Sequence, residues 1–165
     1  MNVFTKLQHR LNRAIFRRLE SASRNYEQRI YNNLDNLLRH IRKGDVVLVE
    51  GRSEISRIIK LFSQSHWSHI AMYVGDELIQ KGRPGREKYL QQFGDDARHL
   101  VIEAFTGQGV IASPLKKYID YNIRICRPFG IRKKDLKIVI EEVISNLGKH
   151  YDNQNIIDIA LMLIP

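Results

Sequence analysis

A single apolar stripe runs along the first part of the chain. From Phe4 to Ile41, apolar residues recur at steps of three and four, which is the spacing of one face of an α-helix. The pattern predicts helix over residues 2–42, with a break near residues 21–23. Two interpretations are open: the helix packs on the domain and exposes a basic face to water, or it binds a membrane or a partner through that face.

After residue 43 the apolar positions form short runs that are rich in β-branched residues. Such runs are too short for helices and are typical of strands. We predict strands over residues 46–49, 68–74, 100–105, 110–111 and 122–127. A Gly-Asp turn at residues 75–76 further predicts a hairpin that leads from the second strand into residues 77–80.

Helical spacing returns over residues 54–63 and 136–147, while the polar segment 81–98 holds three Gly and one Pro and predicts a loop or lid. Most links between the predicted strands are too short for helical crossovers. We therefore expect an α+β fold, with a small antiparallel sheet or open barrel and packed helices. The 165 residues suit one domain, which we place at 44–165 after a basic helical extension over 1–43.

Positive charge is concentrated in this extension. Residues 1–43 contain ten Lys and Arg against three acidic residues, a net charge of +7, whereas the remaining 17 basic and 15 acidic residues nearly balance. A basic segment attached to a balanced domain predicts an anionic partner for the segment and not for the domain.

The chain carries one cysteine, Cys126, so an intramolecular disulfide is excluded within this sequence and a reducing compartment is expected. Basic residues interrupt the first twenty positions, and no apolar core of a secretory signal is present there. We expect a cytoplasmic protein, with membrane association as an extension of the same hypothesis.

Two strand positions carry the candidate chemistry. His69 lies near the start of the second predicted strand, and Glu103 lies inside the apolar run 100–105. A buried carboxylate costs several kcal/mol unless it is paired, and His69 on a neighbouring strand would provide the partner. With Nδ1–H donated to Glu103, Nε2 of His69 would be free to take a proton from a nucleophile. A structural histidine and a zinc site of His66, His69 and Glu103 are the alternatives.

The residues around His69 suggest a pocket. Ser68 is adjacent to His69 on the strand, so their side chains point to opposite faces and Ser68 is a poor nucleophile for this base. We expect Trp67 and Ser68 to shape the approach to the site, and Tyr73 to line it or to pack in the core. Cys126 is interpreted as a buried sheet cysteine, with a substitute nucleophile as the alternative.

Three stretches of the sequence resemble one known family. They are GDVVLVEGRSEISRIIKLFSQSHWSHIAMYVGD, LVIEAFTGQGVIASPLKKYIDYNIRICRP and LGKHYDNQNIIDIA. In their order they are similar to the circularly permuted papain-like hydrolases of the NlpC superfamily, the YiiX/YebB-like group. The resemblance covers the chain from about Gly44 onward.

The resemblance implies a permuted papain-like fold and thiol-dependent hydrolysis or acyl transfer at an amide or ester, without metal or cofactor. It makes His69 the general base and Glu103 the residue that orients it. It also places the nucleophilic Cys at a helix start after the Gly-x-x-Tyr-Asp segment, but no Cys follows Asp152 here. Because the apolar run 156–164 leads straight into Pro165, we expect the nucleophile beyond residue 165.

Three hypotheses follow. The first is a cysteine amidase or hydrolase acting on a peptide or lipid-linked amide or ester substrate. The second is an inactive remnant that binds an anionic membrane or partner through residues 1–43. Nucleic-acid binding ranks last: the sequence pI is about 9.8, but no DNA- or RNA-binding motif accompanies the charge.

Overall fold

The computed structural model describes residues 18, 21–23, 26–105 and 107–150. Within these ranges the chain forms four α-helices and a five-stranded sheet, divided between two compact units. The larger unit consists of Gln28–Val49 and the described residues from His69 onward. The smaller unit contains Glu50–Ser68 and the described residues before Gln28.

The larger unit is built on one antiparallel sheet. The strands are β1 (Val46–Val49), β2 (His69–Gly75), β3 (Leu100–Phe105), β4 (Gly109–Pro114) and β5 (Ile123–Cys126). Their order in the sheet is β4-β3-β2-β1-β5, every pairing is antiparallel, and among the described strands β4 and β5 are unjoined edges. The predicted α+β class is confirmed, in the form of an open sheet.

Apolar side chains fill both faces of this sheet. On one face Val47, Ala71 and Tyr73 form a core with Leu37 and other residues. The opposite face buries a second core around Ile102. The other buried members of this core are Val74, Leu78, Leu100 and Ile140. Full burial of each such aliphatic side chain contributes about 1.5–3 kcal/mol, so the strands are held from both sides.

Two helices of the larger unit supply these layers. Helix α1 (Leu34–His40) contributes Leu37 and Leu38 to the first core. The last described helix, α4 (Lys133–Ser145), contributes Ile140 to the second core. The sequence predicted α4 over residues 136–147, and the helix begins three residues earlier.

The segment predicted as a loop or lid is largely helical. Residues Arg86–Phe93 form α3, followed by a 3₁₀-helix at Gly94–Arg98. Gly85 precedes α3 with φ +75° and Gly94 ends it with φ +55°. Tyr89 and Phe93, one helical turn apart, stack with their ring centroids at 6.4 Å and pack on the second core. Two aromatic anchors among polar residues do not produce a visible helical period, which is why the sequence pattern missed α3.

The predicted hairpin after β2 is also wrong. Residues Glu77–Ile79 form a 3₁₀-helix, and β2 pairs with β1 and β3 instead. Lys43 holds the turn through ion pairs of 2.5 Å to Asp76 and 2.6 Å to Glu77. Burial of Leu78 in the second core favours the short helical turn over an extended strand.

The predicted N-terminal helix is interrupted where the structure describes it. Residues 26–33 are not helical, because the fully buried Asn122 accepts hydrogen bonds from the backbone N–H groups of Arg29 and Ile30 at 2.8 and 2.9 Å. Helix begins only at α1, whose N-cap Asn33 accepts a hydrogen bond from the Asn36 N–H. Most of the remaining predicted helix, before residue 26, and the apolar run 156–164 lie outside the described residues.

The smaller unit contains α2 (Glu54–Ser63), at the position that the sequence predicts. Ser53 caps it by accepting a hydrogen bond from the Ser56 N–H, as is typical of an N-cap serine. The Lys60 ammonium lies 3.0 Å from the buried Glu50 carboxylate. No helix in the described part of the chain is long and apolar enough to cross a membrane.

Candidate functional site

His69 and Glu103 meet on one face of the sheet in the larger unit. Ala71 is paired directly with Glu103 across β2 and β3, and His69 lies two residues before Ala71, so all three side chains share a face. The Nε2 atom of His69 lies 2.7 Å from Oε2 of Glu103. The contact that the sequence predicts is therefore present, on adjacent strands and across a diagonal pair.

The ring of His69 is oriented differently from the sequence expectation. Nε2, and not Nδ1, faces Glu103. Diagonal pairs on an antiparallel sheet have their Cα atoms about 7–8 Å apart, a separation that the more distal ring nitrogen spans more readily. This arrangement leaves Nδ1 as the ring nitrogen that does not contact the carboxylate. The His69 side chain is 24% exposed and that of Glu103 is 0% exposed, so the histidine lies between the buried carboxylate and solvent.

Glu103 is held by more donors than the sequence suggested. The Lys117 ammonium donates to Oε1 at 2.8 Å, the Tyr118 hydroxyl donates to Oε2, and Ser113 also hydrogen-bonds the carboxylate. These residues come from the end of β4 and from the 3₁₀-helix Leu115–Tyr118 that follows it. The two oxygens of Glu103 are therefore both engaged, and the carboxylate cannot rotate without losing partners.

These donors determine the charge of Glu103. Burial by itself would raise the pKa of the carboxyl, but hydrogen bonds from His69, Lys117, Ser113 and Tyr118 outweigh burial and lower the pKa from 4.5 to about 2. Burial, together with the neighbouring charge of Glu103, raises the pKa of the Tyr118 hydroxyl. Near neutral pH the site thus contains an ionised carboxylate and a tyrosine that is a hydrogen-bond donor.

Aromatic rings border the cationic end of the site. The Lys117 ammonium lies 4.4 Å from the ring centroid of Phe105 and 5.1 Å from that of Tyr118, within the range of cation–π attraction. The ring centroids of His69 and Tyr118 are 6.1 Å apart. Lys117 and Tyr118 were not predicted as site residues. They lie in the Pro-Leu-x-x-Tyr segment at 114–118, which is part of the second stretch that resembles the family.

The predicted pocket residues lie in different places. Tyr73 shares a strand face with His69, but four residues at about 3.3 Å each separate them by about 13 Å. The Tyr73 hydroxyl hydrogen-bonds Nδ1 of His99 at 2.9 Å, and both residues line a cleft of about 850 Å³. Trp67 and Ser68 belong to the smaller unit, where the Ser68 hydroxyl accepts the Gly51 N–H at 3.0 Å. The roles of Trp67, Ser68 and Tyr73 at a substrate pocket stay predictions.

Cys126 is separated from His69 by the sheet itself. It pairs with Val46 on β1, whereas His69 pairs with Val49 three residues away. Directly opposed residues share a face and successive residues alternate, so Cys126 and His69 point to opposite faces. The thiol is half-buried. This placement agrees with the interpretation of Cys126 as a sheet cysteine.

The described residues contain no group of three or more His, Cys, Asp or Glu side chains arranged to hold a metal ion. The zinc alternative of His66, His69 and Glu103 therefore has no ligand set in this part of the chain. The buried carboxylate is instead satisfied by protein hydrogen-bond donors.

Comparison with known proteins agrees with this architecture. A family model described as permuted papain-like amidase enzymes, YaeF/YiiX, C92 family, matches residues 40–158, well over half of the chain. That range includes the whole sheet, His69 and Glu103. No curated protein matches the chain. The chain belongs to the permuted papain-like amidase family.

Proposed function

We propose that this protein is a thiol-dependent amide or ester hydrolase, or acyl transferase, in which His69 is the general base and Glu103 orients it. The observation that supports the proposal is the 2.7 Å contact between Nε2 of His69 and the buried Oε2 of Glu103. Through this contact the neutral imidazole would carry its proton on Nε2, and Nδ1 would be left to accept a proton. A peptide or a lipid-linked amide or ester is the proposed substrate.

The proposed mechanism follows from these positions. Nδ1 of His69 takes the proton of a thiol, and the thiolate attacks the substrate carbonyl carbon. The imidazolium then gives that proton to the leaving amine or alcohol, and a thioester forms. Water, deprotonated by the same nitrogen, attacks the thioester and releases the acid and the thiol. A second acceptor in place of water would give acyl transfer.

Glu103 acts by fixing its partner. Since its pKa is about 2, it remains ionised and stabilises the imidazolium without taking its proton. Lys117 and Tyr118 prevent the carboxylate from turning away. We propose that the nucleophilic thiol comes from outside these 165 residues, because Cys126 is their single cysteine and lies on the opposite face of the sheet from His69.

The proposal is tested by hydrolysis of p-nitrophenyl acetate and of a p-nitroanilide by the product of the whole reading frame that contains these 165 residues, because the proposed thiol lies outside them. Loss of a general base lowers the rate by about 10²–10⁴-fold, which is the expected effect of His69→Gln. Glu103→Gln should lower the rate less. His66→Gln is the matched control, and Cys126→Ser should leave the rate unchanged. Equal rates for wild type and His69→Gln would contradict the proposal, and equal losses in His66→Gln and His69→Gln would favour a metal site.

The charge of the N-terminal segment favours a second candidate function. Residues 1–43 carry a net charge of +7, and electrostatic binding to an anionic membrane or partner through this segment would not require turnover. Flotation with vesicles that contain or lack an acidic lipid tests the membrane form. Equal recovery with both vesicles would argue against it.

A further inference from the structure

The connection between β5 and α4 exposes an aromatic side chain in a region of positive charge. Phe129 is fully exposed, and all eight residues of 127–134 are exposed. Gly130 has φ +73° and no atom within 4 Å of the position that a Cβ would occupy. The segment therefore projects from the larger unit, with the phenyl ring in water.

Exposed apolar side chains continue from this projection into α4, with Ile131 before the helix and Ile138 within it. Ile131 is 37% exposed and Ile138 is 66% exposed. The inner face of the same helix is occupied, because Leu136 and Ile140 belong to the second core. An isolated exposed apolar residue needs no explanation, but three large apolar side chains are exposed within ten residues of the chain here, and we refer to them as the patch.

Positive charge predominates at the projecting end of the patch, whereas Ile138 has Glu141 and Glu142 one helical turn further along α4. The only acidic residue in segment 127–139 is Asp135, against five basic residues. Asp135 is paired with Arg132 at 2.6 Å. Neither Lys133 nor Lys134 makes an ion pair with any residue that the structure describes. Two ammonium groups close in sequence to the exposed apolar side chains thus have no ion-pair partner among the described residues.

We propose that this surface, formed by Phe129, Ile131, Ile138, Lys133 and Lys134, docks on an anionic lipid bilayer. Phe129 and Ile131 would enter the boundary between headgroups and acyl chains, and the lysines would contact lipid phosphates. A projecting ring suits a bilayer, which yields around it, whereas a specific protein interface requires about 800 Å² of complementary surface on each partner. Charge complementarity selects an acidic bilayer over a neutral one. This surface contains no residue of 1–43 and does not depend on the proposed activity.

Flotation of the full chain with vesicles tests the proposal. One set contains phosphatidylcholine alone and the other an equal mixture with phosphatidylglycerol. Wild type should bind the mixed vesicles and not the neutral ones. Lys133→Glu with Lys134→Glu should weaken binding at least 25-fold, since each basic residue near the surface contributes about 1 kcal/mol, or about fivefold. Phe129→Ser should weaken it about tenfold.

Two matched controls separate this surface from the charge of the whole chain. Lys81→Glu with Lys88→Glu makes the same change in net charge at exposed positions of the larger unit, and Phe62→Ser removes another exposed phenylalanine. Both should retain most of the binding. Circular dichroism confirms that each variant is folded.

Insertion is measured directly with a tryptophan probe. Phe129→Trp in a Trp67→Phe background, which removes the single native tryptophan, should show a blue-shifted emission and quenching by brominated lipid. Full binding by Phe129→Ser and by the 133/134 double variant would overturn the proposal. So would absence of wild-type binding to mixed vesicles, equal binding to neutral vesicles, equal losses in the controls, or an unquenched probe in bound protein. Equal losses in the controls or an unquenched probe would favour binding through the N-terminal segment, and absence of binding to mixed vesicles would favour an acidic protein partner.

Discussion

The Nε2 atom of His69 lies 2.7 Å from Oε2 of Glu103, and this contact leaves Nδ1 of the same ring facing away from the carboxylate. The hydrogen bond joins the first residue of β2 to a residue in the middle of β3. It brings a half-buried imidazole to a fully buried carboxylate whose remaining lone pairs are occupied. Four predictions follow from this contact and from the polar groups that support the fold.

The first prediction concerns the tautomer of His69. A neutral ring that donates to Glu103 carries its proton on Nε2, so nitrogen-15 spectra of the imidazole should show a protonated Nε2 and an unprotonated Nδ1. In Glu103→Gln this preference should weaken, because an uncharged amide is a poorer acceptor. A wild-type ring with its proton on Nδ1 would contradict the geometry and the mechanism derived from it.

Glu103 should make stability fall in acid. Its folded-state pKa of about 2 lies below the ordinary value of 4.5, so the ionised form stabilises the folded state above pH 4.5, and this contribution is lost as the pH falls from 4.5 toward 2. The shift corresponds to ~3 kcal/mol in the free energy of unfolding. Urea unfolding between pH 5 and pH 2 measures it. Glu103→Gln should show a shallower decline over this window, and identical slopes would refute the assignment.

Lys117 should contribute to the stability that the ionised Glu103 provides. Lys117→Met keeps the alkyl chain but removes the ammonium that lies 2.8 Å from Oε1 of Glu103. We expect a loss of about 1–3 kcal/mol in the free energy of unfolding at neutral pH, because the buried carboxylate loses a charged donor. The pKa of Glu103 should rise, which moves the acid decline to higher pH.

The neighbouring residue provides the control for this experiment. Lys116 forms an ion pair with Asp96 and its side chain is 54% exposed, so Lys116→Met should cost less than about 1 kcal/mol. If both variants lose the same stability and decline at the same pH, Lys117 does not support the Glu103 charge.

Asn122 should contribute far more to the free energy of unfolding than its exposed counterpart Asn33. Asn122→Ala leaves the N–H groups of Arg29 and Ile30 without their acceptor, at about 1–3 kcal/mol for each donor that stays buried. Asn33→Ala removes only the N-cap of α1, worth about 1 kcal/mol. Urea midpoints of the two variants give the comparison. Equal losses would show that Asn122 does not anchor the segment.

The local sequence pattern was sufficient to predict a strand or helix where one hydrophobic period dominated the segment. The β-branched run at 46–49 and the apolar run at 100–105 form strands with the predicted bounds, and α2 occupies 54–63 as its spacing predicts. The two strands bury apolar residues that are continuous along the chain, so the preference of each residue agrees with its neighbours. Helix α2 follows its spacing although its buried residue is Ser56. Where anchors were sparse, as in α3, the pattern had too few apolar positions to reveal a helix.

The N-terminal segment shows how a tertiary contact overrides a correct period. Residues 26–33 follow the helical spacing, yet their backbone bonds to Asn122, more than ninety residues away. No window of local sequence contains that acceptor. Helix propensity has a weak influence on this segment compared with a fully buried amide that satisfies two backbone donors at once.

The sequence by itself determined that Glu103 would be a buried carboxylate in need of a partner and that His69 was the candidate, because residue type and strand position are local properties. Only the tertiary structure decided which imidazole nitrogen makes the contact, that Ser113, Lys117 and Tyr118 complete the set of donors, and that Cys126 lies on the other face of the sheet. The physical reason is register: which residues oppose one another across strands depends on how the strands pair, and that pairing is a property of the folded chain.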